Sequence, residues 1–164
     1  MANFPKLIPA FTIQVVIQTP TPVSPSLVFV PLASTGGSIV SEPSYPIQLR
    51  AAIEHGGDFI RVSADGTQAR LDVQSLARDA VTGALVRFTY RGKVDTTGAM
   101  GRVLRGEEGA GTTGFGDAVS VVEFETGGGE LAVLENKVYV GTGRFIIEAG
   151  KPTIVEYLVS EVVA

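Results

Sequence analysis

Apolar and polar residues alternate along most of this chain with a period of two. Phe11, Ile13, Val15 and Ile17 are interleaved with Thr12 and Gln14, which sends successive side chains to opposite faces of an extended strand. The same pattern predicts strands over 10–18, 26–31, 38–40, 47–53, 58–63, 68–74, 84–91, 118–125, 131–134, 137–141, 144–148 and 153–163. Many short strands divided by turn residues at fairly regular intervals are the signature of an all-β sandwich or barrel. Gly56-Gly57 and Asp65-Gly66 accept the positive φ of a tight hairpin and are expected to be turns. Residues 19–25 hold three prolines and read as a rigid connector.

Three stretches depart from simple alternation. Over 72–80, Asp72 could cap a short helix with Val73, Leu76, Ala77 and Ala80 inside; the strand reading, with Asp72, Gln74 and Leu76 sharing a face, is preferred. Over 153–163, Ile154, Val155, Tyr157, Leu158, Val159, Val162 and Val163 put apolar groups on both faces, as in a packed interior or an oligomer contact. Residues 92–116 are the longest segment without periodicity and are expected to form a lid or mobile loop.

A length of 164 residues suits one domain. Hydrophobic content of 45% with a mean hydropathy of +0.28 describes an ordered fold, and 20 glycines with 9 prolines favour many turns, hence all-β structure. Net charge of −4 and a pI near 5.0 exclude a nucleic-acid surface. The absence of cysteine removes disulfides, thiolate metal sites and a cysteine nucleophile. One histidine, His55, rules out polyhistidine zinc sites and weakens any Ser-His-Asp reading. Carboxylate-only metal binding stays open, but no Asp-rich loop of the calcium type supports it, and no metal is expected. Lys6 precedes an apolar run broken by Pro9, Thr12 and Gln14, with no cleavage signal after it, and no segment is long enough to span a membrane. A cytoplasmic location is expected, with no membrane partner.

Gly109-Ala110-Gly111-Thr112-Thr113-Gly114 matches the dinucleotide fingerprint, but that motif needs a strand before it and a helix after it. Neither is predicted, and Glu107 and Glu108 would repel a phosphate, so no cofactor is expected. His55 reads as a solvated turn residue. Asp58, Arg61, Asp72, Arg91 and Glu125 are the candidates with chemistry. Phe59 and Arg61 share one face and Asp58 and Ile60 the other; Arg70, Asp72 and Gln74 oppose Leu71 and Val73; Arg87, Thr89 and Arg91 oppose Val86, Phe88 and Tyr90. Strand by strand, the polar face belongs in water. The alternative places it inside a barrel, where carboxylates in a dry cavity would have shifted pKa values and act as acids or bases.

Several motifs in order resemble the domain-of-unknown-function 3237 family. They are Gly56-Gly57-Asp58-Phe59, Asp65-Gly66, Leu71-Asp72, Thr82-Gly83-Ala84-Leu85-Val86, Tyr90-Arg91-Gly92, Phe124-Glu125-Thr126 and Val138-Tyr139-Val140-Gly141-Thr142-Gly143. Two departures fall where a pocket would be lined. Gln74 stands where the family typically has an arginine, and Leu131, Val133, Leu134 and Glu135 replace a Tyr-x-Trp-Leu-Asn run. The resemblance implies a single-domain antiparallel β-barrel, often a homo-oligomer, with a cavity inside. It further implies kinship with fungal cofactor-free cyclases of natural-product pathways, including those that hydroalkoxylate prenylated aromatic polyketides. On that reading Asp58, Asp72 and Glu125 are the acid–base candidates. Arg61 and Arg91 would hold phenolate or enolate oxygens, and Gln74, Phe88, Tyr90 and Tyr139 would contact a hydrophobic small-molecule substrate. The inward pairing of Asp58 with Asp72 is the central expectation. The alternatives are a non-catalytic, lipocalin-like barrel that binds a hydrophobic ligand, or an oligomeric scaffold without a pocket.

Overall fold

The alternating runs are strands, and several are longer than their pattern predicts because glycines expected to break them lie inside them. The computed structural model describes residues 3–164. Its strands are β1 (Lys6–Val16), β2 (Thr21–Ser24), β3 (Leu27–Pro31), β4 (Ser38–Ser41), β5 (Arg50–Val62), β6 (Gln68–Asp79), β7 (Leu85–Asp95), β8 (Ala118–Thr126), β9 (Val138–Ile146) and β10 (Ile154–Val163). One short helix, α1 (Ala99–Leu104), follows β7, and a 3-10 segment spans Gly129–Asn136, where a strand over 131–134 was expected.

Neighbouring strands run β5–β4–β1–β10–β9–β8–β7–β6, and β6 pairs back onto β5. This closes an antiparallel barrel of 8 strands in one domain, so that each of these eight strands is paired on both sides. The β2–β3 hairpin extends the seam. Leu27–Pro31 of β3 pairs with Gly57–Arg61 of β5, while β4 takes Arg50–Ala52. The proline-rich connector at 19–25 therefore contains a strand, short and at a sheet edge, where proline is tolerated.

Two glycines show why the expected breaks do not occur. Gly57 lies mid-strand in β5, where a Cβ would sit 2.4 Å from Cε2 of Phe29. Gly143 lies mid-strand in β9, where a Cβ would sit 2.6 Å from Cε1 of Tyr157. Both mark close approach by an aromatic ring. Asp65-Gly66 is a turn as expected, with the Gly66 N–H bonded to Ser63 O at 2.9 Å. The 72–80 stretch is strand through Asp79.

Apolar faces point inward. Phe11, Ile13 and Val15 of β1 meet Val86 and Phe88 of β7 and Val122 and Phe124 of β8 in one core. One end is filled by Phe11, Tyr45, Phe124 and Tyr139, with ring centroids 5.3–5.5 Å apart. There Tyr45 Oη donates to Glu161 Oε2 at 2.5 Å and lies 2.9 Å from Tyr139 Oη. Lys137 Nζ closes the network on Glu161 at 2.6 Å. The segment from Gly92 is ordered secondary structure at first: β7 continues to Asp95, and α1 then packs over the other end of the barrel. No helix among the described residues is long and apolar enough to cross a membrane.

Candidate functional site

The α1 end of the barrel is not completely filled. A cavity of about 90 Å³ lies beneath Met100, Val103 and Leu104 of α1. Its walls are almost wholly apolar, with Val15, Val30, Ile60, Leu71 and Val155 among them; Asp58, Tyr90 and Tyr157 bring polar atoms to it. A second cavity of about 180 Å³ shares Pro20, Val30, Ile60 and Leu104 with the first and extends to Gly66 and Arg105.

Asp58 reaches the interior through an irregularity in β5. The pairing with β6 shifts between Ile53 and His55, and such a bulge moves the following residues to the other face. Asp58 and Ile60 therefore point inward while Phe59 and Arg61 point out. His55 is exposed on the strand, beside the bulge and not in a turn. Beyond Asp58, which pairs with Val73, the ladder makes no pairing until Arg61 meets Arg70. In this gap the Asp72 N–H donates to Asp58 Oδ1 at 3.0 Å, so the side chain replaces a missing ladder partner.

Asp58 is only 8% exposed. Burial raises its pKa from 3.8 to about 7; the hydrogen bond from the Asp72 backbone opposes the rise, and the nearby Asp72 charge adds to it. Desolvation wins because one N–H donor cannot replace a hydration shell. The Tyr90 and Tyr157 rings have centroids 4.8 Å apart. Burial above all holds both phenols above the ordinary tyrosine range; at Tyr90 the facing Tyr157 phenol and then the Asp58 charge add to the rise, and at Tyr157 the Asp58 charge does. One carboxyl that titrates near neutrality and two phenols that stay protonated thus share an apolar chamber. The carboxyl can give or take a proton at pH 7, and the phenols can donate hydrogen bonds to a developing oxyanion.

The other residues singled out in the sequence divide between two faces and two ends. Phe88 lies inside next to Tyr90, with centroids 6.3 Å apart. Tyr139 is inside but belongs to the far end, with Tyr45 and Glu161; there burial pushes its phenol up to about 12. Asp72, Gln74, Arg91, Glu125 and Arg61 all face outward. Arg91 Nε lies 3.5 Å from Asp72 Oδ1, Arg87 Nη2 donates to Gln74 Oε1 at 2.6 Å, and Arg87 Nη1 lies 2.8 Å from Glu125 Oε1. The barrel wall separates Asp72 and Glu125 from the cavity, and the expected inward pair is divided. Its physical reason is register: Val73, not Asp72, stands opposite Asp58. Tyr157, which lines the cavity without being among the sequence candidates, stands in the strand whose two faces are both apolar. Among the described residues no group of three or more His, Asp or Glu side chains is placed to hold a metal.

Fold and site together define a class: a closed antiparallel β-barrel with one buried carboxyl set into an otherwise apolar end. Within that class the chain belongs to the family described as "Protein of unknown function (DUF3237)", whose family model matches residues 5–162. No curated protein matches it. Its fold is similar to that of a conserved protein of unknown function from Rhodopseudomonas palustris, with a TM-score of 0.77 at 19% identity, covering 99% of this chain and 100% of that one. A β-barrel-like protein from Acinetobacter baumannii gives a TM-score of 0.69 at 19% identity, with 99% of each chain covered. A protein of unknown function from Clostridium acetobutylicum gives 0.71 at 15% identity, covering 98% of this chain and 100% of that one. These likenesses concern the fold.

Proposed function

We propose that this protein is a cofactor-independent acid–base catalyst that isomerises or cyclises a hydrophobic small molecule of natural-product type within the barrel. The observation that carries the reading is Asp58, a carboxyl raised to about 7 in an apolar chamber beside two protonated phenols. An acid tuned to the ambient pH is suited to giving a proton and taking one back in a single turnover. For a prenylated phenol, neutral Asp58 protonates the alkene and the phenol oxygen bonds to the resulting cationic carbon. The phenol proton then returns to the Asp58 carboxylate, so the product has the mass of the substrate. The Tyr90 and Tyr157 hydroxyl oxygens accept a hydrogen bond from the substrate O–H, which becomes acidic as the C–O bond forms, and so orient it.

The cavity of about 90 Å³ is far below the roughly 300–1,000 Å³ of ordinary ligand sites. Substrate entry in this reading requires α1 to lift, which merges the two cavities and opens them outward. Homo-oligomeric assembly belongs to the same reading, and Val119, Val121 and Val138, each at least half exposed on the adjacent strands β8 and β9, offer a surface for it. The apolar lining alone favours a second reading, a carrier of a hydrophobic ligand.

Incubation with a prenylated phenol and mass spectrometry separates the two. Conversion to an isobaric product that is lost in Asp58→Asn supports catalysis. Binding without conversion supports the carrier, and conversion undiminished in Asp58→Asn overturns the role given to Asp58.

A further inference from the structure

Outside the barrel, three cations lie in one row across three strands. Arg61 of β5 stands directly opposite Arg70 of β6, and Arg70 directly opposite Lys93 of β7. All three are exposed. Like charges directly opposite on neighbouring strands destabilise a sheet. Among the described residues none of the three has a carboxylate within ion-pairing distance; the ion pairs use other cations.

The acids around the row are already engaged. Asp72 lies beside Arg91. Asp95 accepts both the N–H and the hydroxyl of Thr97, at 2.9 and 2.6 Å. Asp65 accepts from Ser63 and Thr67 in the β5–β6 turn. The row also has a shape. Arg61, Arg70 and Lys93 line a surface groove of about 400 Å³ with Ser63 and Gln68, whose walls hold no carboxylate, and on their other side they border a wider groove of about 840 Å³ that Phe59, Asp72 and Arg91 also line. A chain of net charge −4 thus gathers three of its cations where they repel one another and face a polar concavity.

We propose that this groove is an anion-binding site for a phosphoryl compound carrying two or more negative charges. The two guanidiniums offer planar forks that match phosphate oxygens, and the Lys93 ammonium adds a third charge. Phe59 lies two residues from Arg61 on the same face, half exposed and tilted against Phe29 with centroids 4.8 Å apart. It provides an apolar shelf for the body of the ligand. The site is on the opposite side of the barrel wall from Asp58, so it stands or falls independently of the interior chemistry.

Titration with inorganic pyrophosphate at pH 7 and low salt, followed by calorimetry and by thermal unfolding, tests the site. The expected result is saturable one-to-one binding and a rise in the unfolding midpoint, with affinity reduced at least tenfold in Arg70→Gln. Arg87→Gln removes a cation from the same outer face but outside the groove, and should bind as the parent does. Without ligand, Arg70→Gln should unfold at a temperature equal to or above that of the parent, because it relieves repulsion on both sides. Equal weakening by Arg70→Gln and Arg87→Gln would mean diffuse charge attraction and overturn the proposal. So would the absence of saturable binding at millimolar pyrophosphate.

Discussion

Replacing Asp58 with asparagine should make the protein more stable at neutral and alkaline pH, and the gain should itself depend on pH. Asparagine keeps the shape and the oxygen that accepts the Asp72 N–H, but it cannot ionise. The folded-state pKa of Asp58 is raised from 3.8 to about 7, so the folded protein holds this proton more tightly than the unfolded chain. Stability from that tighter hold is complete below about pH 4, falls as pH rises, and is exhausted once the folded-state acid has ionised at about pH 7. At about 1.4 kcal/mol per tenfold in proton affinity, the full loss is of order 4 kcal/mol. That is a large part of the roughly 5–15 kcal/mol that holds a typical domain together.

Urea denaturation of parent and Asp58→Asn at intervals from pH 4 to pH 9 measures the difference directly. Other carboxylates act in the opposite direction. The pKa values of Asp79 and Glu161 are lowered by their hydrogen bonds, and their contribution disappears as the pH falls. They are common to both proteins and cancel in the difference. The expected curve rises in favour of the variant between pH 4 and pH 7 and is level above that. A difference that stays constant across this interval would mean that Asp58 ionises as a solvated carboxyl does, and the site would lose its acid–base basis.

Gly143→Ala should destabilise the protein by about 1–3 kcal/mol, the usual cost of forcing an extra methyl into a filled space, because the Tyr157 ring occupies the position of the added Cβ; urea unfolding checks it. Tyr45→Phe removes the donor to the buried Glu161 carboxylate and should cost about 1–3 kcal/mol in the same assay while leaving the Asp58 titration unchanged. Glu125→Gln, on the outer face beside Arg87, should leave both the unfolding midpoint and any turnover of substrate as they are, since exposed ion pairs contribute little. A loss of turnover in that variant would restore the outer face as a candidate site.

Period-two alternation made the strands legible, and it also sorted residues correctly into faces: Asp58 with Ile60, and Phe59 with Arg61, do lie on opposite sides of the wall. Two things could not be read from local pattern. Gly57 and Gly143 have the composition of turns, but each is required by an aromatic ring from another strand, Phe29 and Tyr157. Cross-strand register was the second. Asp58 and Asp72 could have formed an inward pair only in a register that places them opposite each other, and it is Val73 that occupies that position. Helix α1 escaped notice because six residues, Ala99–Leu104, are too few to establish a helical period.

The same gap in the β5–β6 ladder lies between the inner acid and the outer cations. On one side of it, Asp58 pairs with Val73; on the other, Arg61 pairs with Arg70. Closing the gap with ordinary ladder bonds would give the Asp72 N–H a backbone acceptor and leave the Asp58 carboxyl with none, alone in an apolar cavity. Burying a carboxyl without a partner is costly, so the irregular ladder is what makes an interior acid tolerable here. One donor is enough to retain the group and too little to keep it ionised, which is why its pKa settles near neutrality. Burial thus sets the direction of the Asp58 shift and the strand pairing limits it through the one Asp72 donor, so a change in β6 that restores the ladder would raise the pKa further without touching the cavity.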